Sequence, residues 1–465
     1  MSKKNILIQA AFAGLFTALF SSASIANVEL SSIWQTEVAI TDESRGQKLE
    51  SILQPEVNWS INDAFDMTFI GRLRFDIQNN LGYQGKEFQG DSLDTYGSSN
   101  GPVYEGSHAD FEIREWYLDT EMAGVFWRLG KQQVVWGQAD GLKILDVINP
   151  QSYREFILDD FADSRIPLWM INAEIPIGDD DSLQLLWIVD QSYHHFANNG
   201  SDYQITSPLL VPQPISGIDI ASLKLDKPDK RLKDSDLGLR YSKFYHGWDL
   251  TFNYLYHYLD SPVFYQELYQ QLSDSPVNLN TVAIDAKYQR SHLLGLTASK
   301  AFDDWTIRSE IGYSTDSYHL LDPDSKQNNQ AFIYYQGIRH SKDLSSVIGV
   351  DWQGLEDAMI SIQWFQSSLL DYDNDIDNAM FRPKHNQIFS FLYQQNFANE
   401  TWQLEVLAMY GVDQSDNSIQ VELSHMLEDN IELWLGVDLF GGNQQSLFGQ
   451  FNDTDRLVLG FEWGF

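Results

Sequence analysis

The sequence predicts a transmembrane antiparallel β-barrel, all-β and of about 18 strands, with one loop folded into its lumen. Three observations predict it. The N-terminus has the order of an export signal, apolar and polar residues alternate along most of the chain, and the last strand carries that alternation to an aromatic end.

The first element is the signal. Lys3 and Lys4 precede a mostly apolar run over 6–20 and a small-residue stretch over 21–26. That order describes a secretory signal peptide at 1–26, with Ser24 and Ala26 placed for a cut before Asn27. The apolar run falls short of the roughly 20 residues that a bilayer-spanning helix needs. No later stretch is an uninterrupted apolar helix, so residues 27–465 belong to the membrane through another architecture. The absence of Cys excludes a disulfide framework and thiolate metal sites. A formal charge of −36 argues against a nucleic-acid partner, which would require a basic face.

The strands come next. Phe65, Met67, Phe69, Leu73 and Phe75 alternate with Asp66, Thr68, Arg72, Arg74 and Asp76, the period of a strand with one apolar face. Phe252, Tyr254, Tyr256 and Tyr258 repeat the pattern, as do Trp402, Leu404, Val406 and Tyr410. A soluble sandwich would show the same alternation. The C-terminal set Leu457, Leu459, Phe461, Trp463 and Phe465 decides between them, because it resembles the terminal strand of bacterial outer-membrane barrels. The resemblance implies insertion by barrel-assembly machinery and residence in the cell outer membrane, among its lipid and lipopolysaccharide.

Turns set the strand number. Tight turns are expected near 61–64, 122–124, 177–181, 245–247, 302–304, 354–357, 398–400 and 428–430. Eight hairpins and one strand at each end make 18 strands, with both ends in the periplasm and the longer loops outside. The largest outer loops fall near 80–110, 138–165, 193–234, 262–285 and 317–343. The stretch "AFIYYQGIRH" from Ala331 has the composition of one further strand, so 16 and 20 are the neighbouring counts. Barrels of about 16 to 18 strands are wide enough for an aqueous channel unless something fills them.

The segment 138–166 departs from all of this. Asp140, Asp146, Arg154, Glu155, Asp159, Asp160 and Arg165 are mixed there with Leu142, Ile144, Leu145, Ile148, Phe156 and Phe161. It is too apolar for water and too charged for lipid, which leaves the lumen. Its charges then line a constriction and set selectivity, or pair with the wall and hold the loop. Arg72, Arg74, Asp76, Arg128, Arg240, Arg308 and Glu310 are expected on the inward face as partners or as a lumen lining. The acids of the segment are expected beside Arg72, Arg74 and Arg128.

The motifs "GKQQVVWGQADG", "DVINPQ" and "DSRIPLW" bracket this segment and resemble a porin-like Gram-negative outer-membrane family catalogued as a domain of unknown function. The resemblance implies a barrel often encoded near inner-membrane exporters of the resistance-nodulation-division type, with a periplasmic lipid-binding partner. It points to traffic in lipids or hydrophobic compounds.

Other constellations carry less. The His194 and His195 pair lacks a glycine-flanked serine and reads as a solvated loop pair. Asp371, Asp373, Asp375 and Asp377 alternate as in a calcium loop but lack its central glycine and distal glutamate. Lys224, Lys227, Lys230, Arg231 and Lys233 form a basic cluster that either is a solvated face or meets lipopolysaccharide phosphates. The expected function is a channel or transport conduit without cofactor, metal or catalysis; the alternative is a structural or receptor barrel that binds a partner or surface glycan through its outer loops.

Overall fold

The computed structural model describes residues 27–41, 45–78, 95–106, 108–214, 219–270, 279–323, 329–373 and 380–465. The expected signal peptide lies outside them. Strand β1 (Val28–Thr41) opens the chain's fold. Four tight hairpins then join β2 (Gly46–Asn62) to β3 (Phe65–Asp76), β4 (Ala109–Met122) to β5 (Val125–Gln132), β6 (Leu168–Ile177) to β7 (Asp181–Ile188), and β8 (Asp236–Tyr245) to β9 (Trp248–Tyr258). Four more join β10 (Arg290–Phe302) to β11 (Trp305–Leu320), β12 (Ile338–Leu355) to β13 (Ala358–Leu369), β14 (His385–Phe397) to β15 (Trp402–Gly411), and β16 (Asp416–Glu428) to β17 (Ile431–Gly441). The last strand is β18 (Arg456–Gly464).

Antiparallel pairing runs from each strand to the next and returns from β18 to β1, where Leu459 faces Val38. Eighteen strands therefore close, and the two-residue strand Tyr104–Glu105 only adds a short pairing onto β4. All eight hairpins fall at the expected turns. At Ala123 and Gly124, and again at His246 and Gly247, two consecutive residues have positive φ. This is the mirror-image turn whose twist suits a two-residue hairpin, and glycine at its second position relieves the strain.

The sidedness is that of a membrane barrel. Phe252 (48% exposed) and Tyr254 (37%) point outward while Thr251 (0%) and Asn253 (4%) point inward. In water the outward set would be a large uncovered apolar surface; in a bilayer it is the lipid-facing band. Aromatic rings gather near the tight turns, with Trp305 stacked on Trp352 at 5.8 Å and Phe397 on Trp402 at 6.2 Å. Such rings belong at the membrane interface.

Two loop expectations are corrected. Residues Asn329–Tyr334 form a short helix rather than a further strand, and β12 starts only at Ile338. Phe332 buries against Leu321, Leu369 and Met380, an apolar anchor that a strand in this position would lose. The loops near 193–234 and 262–285 contain a small sheet: Leu279–Lys287 pairs in parallel with Asp219–Asp226 and antiparallel with Val263–Gln270. Val282, Ile284 and Ala286 bury one face of it. Parallel partners are necessarily distant in sequence, so no hairpin signal marks them.

A closed barrel satisfies its backbone hydrogen bonds between strands and resists detergent. Unheated protein is therefore expected to migrate differently from boiled protein on a detergent gel, and identical mobilities would contradict closure.

Candidate functional site

After Gln132 the chain leaves the wall, and it returns at Leu168. Its neck is held by Asn149: the side-chain oxygen accepts from the Val134 amide (2.8 Å), and the side-chain nitrogen donates to the carbonyls of Ile166 (3.0 Å) and Gln132 (3.3 Å). Asp146 accepts two bonds from Arg165, at 2.7 and 2.9 Å. Thus one asparagine and one ion pair tie the outgoing and returning arms together.

Beyond the neck the segment touches the inward face of strands all around the barrel. Arg308 on β11 binds Asp140 and also Asp351 (2.7 Å), while Gln363 on β13 binds the same Asp140 carboxylate at 2.6 Å. Glu310 accepts from the amides of Gln138 and Leu145. On the opposite wall Glu155 pairs with Lys48 (2.6 Å) and Arg456 (2.7 Å), and Arg154 pairs with Glu50 at 2.7 Å. Arg114 donates to the carbonyls of Ala162 (2.5 Å), Asp163 (3.0 Å) and Arg165 (3.1 Å), closing the short helix Phe161–Ser164. A segment reaching β2, β4, β11, β13 and β18 lies within the ring they form.

Apolar packing follows the same path. Trp136, Leu145 and Ile148 bury against Met170, Leu186, Leu255 and Leu293, and Trp136 donates its indole N–H to Gln184 at 2.8 Å. Phe156 packs on Phe451 with ring centroids 4.6 Å apart. The wall is notched for this: a Cβ on Gly295 would stand 2.8 Å from Leu145, and one on Gly238 would stand 3.1 Å from Trp136. Inward glycines mark where another part of the chain comes close.

Each expected site residue can be placed. Asp146, Arg154, Glu155 and Arg165 are buried and paired, and Asp140 is paired. Asp159 lines a cavity, and Asp160 is exposed to the lumen. Among the expected wall residues, Arg72 pairs with Glu112 at 2.5 Å and Arg74 lies 3.5 Å from Glu50. Arg240 donates to the Val135 carbonyl at 3.1 Å, and Asp76 is buried. Arg128 makes a two-pronged pair with Asp119 at 2.8 Å, near the tight turns.

The expected meeting of loop acids with Arg72, Arg74 and Arg128 is corrected. Those acids reach Lys48, Arg456, Arg165 and Arg308 instead, because Glu112, Glu50 and Asp119 on the wall already occupy the three arginines. Lys48, Glu50, Glu112, Arg114 and Arg456 were missed. They carry the same signal that exposed Arg72, a charge on the polar face of an alternating strand. His195 is buried and His194 half-buried, accepting from the Gln151 amide, so the pair is not a solvated one. Burial pushes their pKa values down to about 3 and about 4, so both are neutral near pH 7. Of the alternating acids at 371–377, residues 374–377 lie outside the described residues.

Between the segment and the wall of β12 to β14 is a cavity of about 300 Å³. Leu142, Ile144, Phe156, Phe161, Phe365 and Ile388 give it an apolar lining, and Gln366, Ser367 and Asn386 add amide and hydroxyl groups. Two charged residues border it. Lys143 sits 4.3 Å over the Phe161 ring and 3.6 Å from Asp146, with its pKa lowered by burial to about 8. Asp159 has its pKa raised by burial, and then by the charge of Glu155, to about 6.

Glu155 shows the opposite balance. Burial favours its neutral form, but Lys48, Arg456 and Arg154 outweigh that and hold the carboxyl far below its ordinary 4.5. A depressed pKa means that its stabilisation is present above the unfolded value and is lost as pH falls through the folded one. Glu155→Gln removes the charge and leaves Lys48 and Arg456 buried beside a neutral amide. Loss of about 3–5 kcal/mol is expected, read as a lower midpoint of heat or denaturant unfolding at pH 7. An unchanged midpoint would show that the segment does not depend on this carboxylate.

The model of the family described as "Protein of unknown function (DUF1302)" matches residues 74–465. No curated protein matches the chain. Among solved structures the chain is similar to OccAB1 of Acinetobacter baumannii, with a TM-score of 0.50 at 9% identity, covering 94% of this chain and 96% of that one. OccK8 (OprE) of Pseudomonas aeruginosa gives 0.49 at 11% identity, covering 96% and 99%. At these identities the likeness is one of fold.

Proposed function

We propose that this chain, which belongs to the family described as "Protein of unknown function (DUF1302)" and folds as an outer-membrane β-barrel of 18 strands, is a transport conduit narrowed by segment 138–166. The observation that carries this reading is the cavity of about 300 Å³ beside the segment. The segment occupies the lumen and leaves a lined space in it.

The lining also supports a class of cargo. Water-filled barrels have polar interiors. Here leucine, isoleucine and phenylalanine from both the segment and the wall meet in the lumen, which suits lipids or other hydrophobic molecules. A route of that kind needs a source on the other side of the periplasm. An inner-membrane exporter of the resistance-nodulation-division type with a periplasmic lipid-binding protein fits, as the family resemblance implies.

Electrostatics distinguishes the mouth below the segment. Glu405 and Glu422 face each other across β15 and β16, and Glu432 and Glu462 across β17 and β18. Asp160 feels Asp163, Glu405, Glu37 and Glu432. Facing like charges of this kind favour cations in the water around them.

A structural or receptor barrel is the second reading, favoured by the many bonds that fix the segment. Conductance in planar bilayers separates the two. The conduit is expected to conduct, and removal of 138–166 to raise its single-channel conductance. Asp159→Asn with Asp160→Asn should shift ion preference toward anions in a barrel whose segment is intact. No current from either wild type or deletion would sink the conduit reading.

Acid should act in the same direction as that double variant. The Asp159 carboxyl gains its charge only as pH rises through about 6, so cation preference should strengthen between pH 5 and 7. Reversal potentials in a salt gradient read this; a flat profile would remove Asp159 from the ion path.

A further inference from the structure

The basic cluster of the 224–233 stretch plays no part in the lumen. It stands on the outside, at the end of the barrel opposite the tight turns, in the chain that leads from Asp219–Asp226 into β8. Lys224, Lys230, Arg231 and Lys233 are exposed, and the acids interspersed among them are Asp226 and Asp229. The five cations of this stretch are a large share of the 30 lysines and arginines in a chain of net charge −36.

Two further observations point to what it meets. The first is that the cluster is fastened down. Lys227 donates to the Tyr96 carbonyl and Arg231 to the Ser99 hydroxyl. The stretch they grip is fixed in turn, since Asn100 donates to the Pro167 carbonyl and to Ser192, both at 2.9 Å. Cations held in place lose less freedom on binding than cations on a loose loop.

The second is the apolar surface alongside. Leu232, in the middle of the basic turn, is 73% exposed. Trp169 donates its indole N–H to the carbonyl of Ser99, the residue that Arg231 holds, and meets Trp116 edge-on at 6.1 Å. Leu237, the second residue of β8, points outward and is lipid-facing. Positive charge and outward tryptophan thus meet at Ser99, with Leu232 and Leu237 exposed in the same stretch of chain.

We infer that this turn is a binding site for the phosphorylated sugar head of lipopolysaccharide. Lys230, Arg231 and Lys233 would take the phosphates, while Leu232, Trp169 and Leu237 lie along the acyl chains. An anionic head joined to acyl chains matches both halves of the surface; free phosphate matches only one. The inference is independent of any cargo in the lumen.

The test uses the purified full-length barrel in detergent, titrated with rough lipopolysaccharide and with the same material after dephosphorylation. Thermal unfolding and tryptophan fluorescence report binding. Wild type is expected to be stabilised by the phosphorylated form, and Lys230→Glu, Arg231→Glu, Lys233→Glu together to weaken this about tenfold or more. Lys384→Glu, a cation elsewhere in the outer loops, should leave it unchanged. Retention of a heat-dependent gel shift confirms that each variant is folded. If the triple variant does not fold, the comparison of the two lipopolysaccharide forms on wild type still decides. Equal response to both forms, equal binding by the triple variant, or equal stabilisation by phosphatidylglycerol micelles would overturn the assignment.

Discussion

In lipid no water is available to an unpaired backbone amide, and that constraint shapes everything else in this molecule. A sheet with an edge would leave a row of such groups exposed, so β18 must return to β1. Closing 18 strands fixes a circumference, and the circumference fixes a lumen too wide for the side chains of the wall to fill. The choice left to the sequence is what to put there. It places a segment that is neither a strand nor a surface loop, and the wall is adapted to receive it.

Two devices hold that segment, and they act differently. The glycine notches at Gly238, Gly295 and Gly312 admit Trp136 and Leu145, so dispersion contacts form only if the segment sits in one register. The charge pairs contribute less to net stability than their number suggests, because removing a charge from water costs much of what its partner returns. Their effect is on uniqueness. Glu155 between Lys48 and Arg456 penalises any displacement by leaving a buried charge alone, and the half-buried Asp140 adds directed bonds to Arg308 and Gln363. A bulge in β4 assists: the register shift between Ile70 and Gly71 skips Arg114, and that guanidinium reaches the carbonyls of 162–165.

How much of this was legible in the sequence depended on how local each signal is. The barrel and its turns were, because alternation and a pair such as His246 and Gly247 state a strand face and a hairpin within a few residues. The segment was legible as a misfit: its composition suits neither water nor lipid. Its partners were not. Nothing near Glu155 names Arg456, which lies at the other end of the chain, and the arginines nearest in pattern were already paired along the wall. The small outer sheet and the helix Asn329–Tyr334 escaped for the same reason, since both rest on contacts between distant loops. The three motifs around the segment were visible as motifs, and their physical content became visible only in the fold. Asn149 and Asp146 of "DVINPQ" bind Ile166 and Arg165 of "DSRIPLW", and Asn149 also binds the strand end at Gln132 within "GKQQVVWGQADG".

The net charge of −36 reads differently once it is distributed. Solvated outer loops account for part of it. Inside the barrel the cations stand largely in one sector, on β2, β3, β4 and β18, and acids occupy them there: Glu50 with Arg154 and Arg74, Glu112 with Arg72, Asp438 with Arg456. Across β15 to β18, nearer the tight turns, carboxylates face carboxylates with no such compensation among the described residues. Facing like charges weaken a sheet, so this mouth carries a local cost in stability. The cavity beside Leu142 and Phe365 instead sets apolar side chains beside Gln366, Ser367, Asn386, Lys143 and Asp159. The segment therefore adjoins two unlike regions of the lumen, a rim where carboxylates face carboxylates and a recess whose lining is mostly apolar, so the excess of acid is concentrated where the segment's apolar side chains are not.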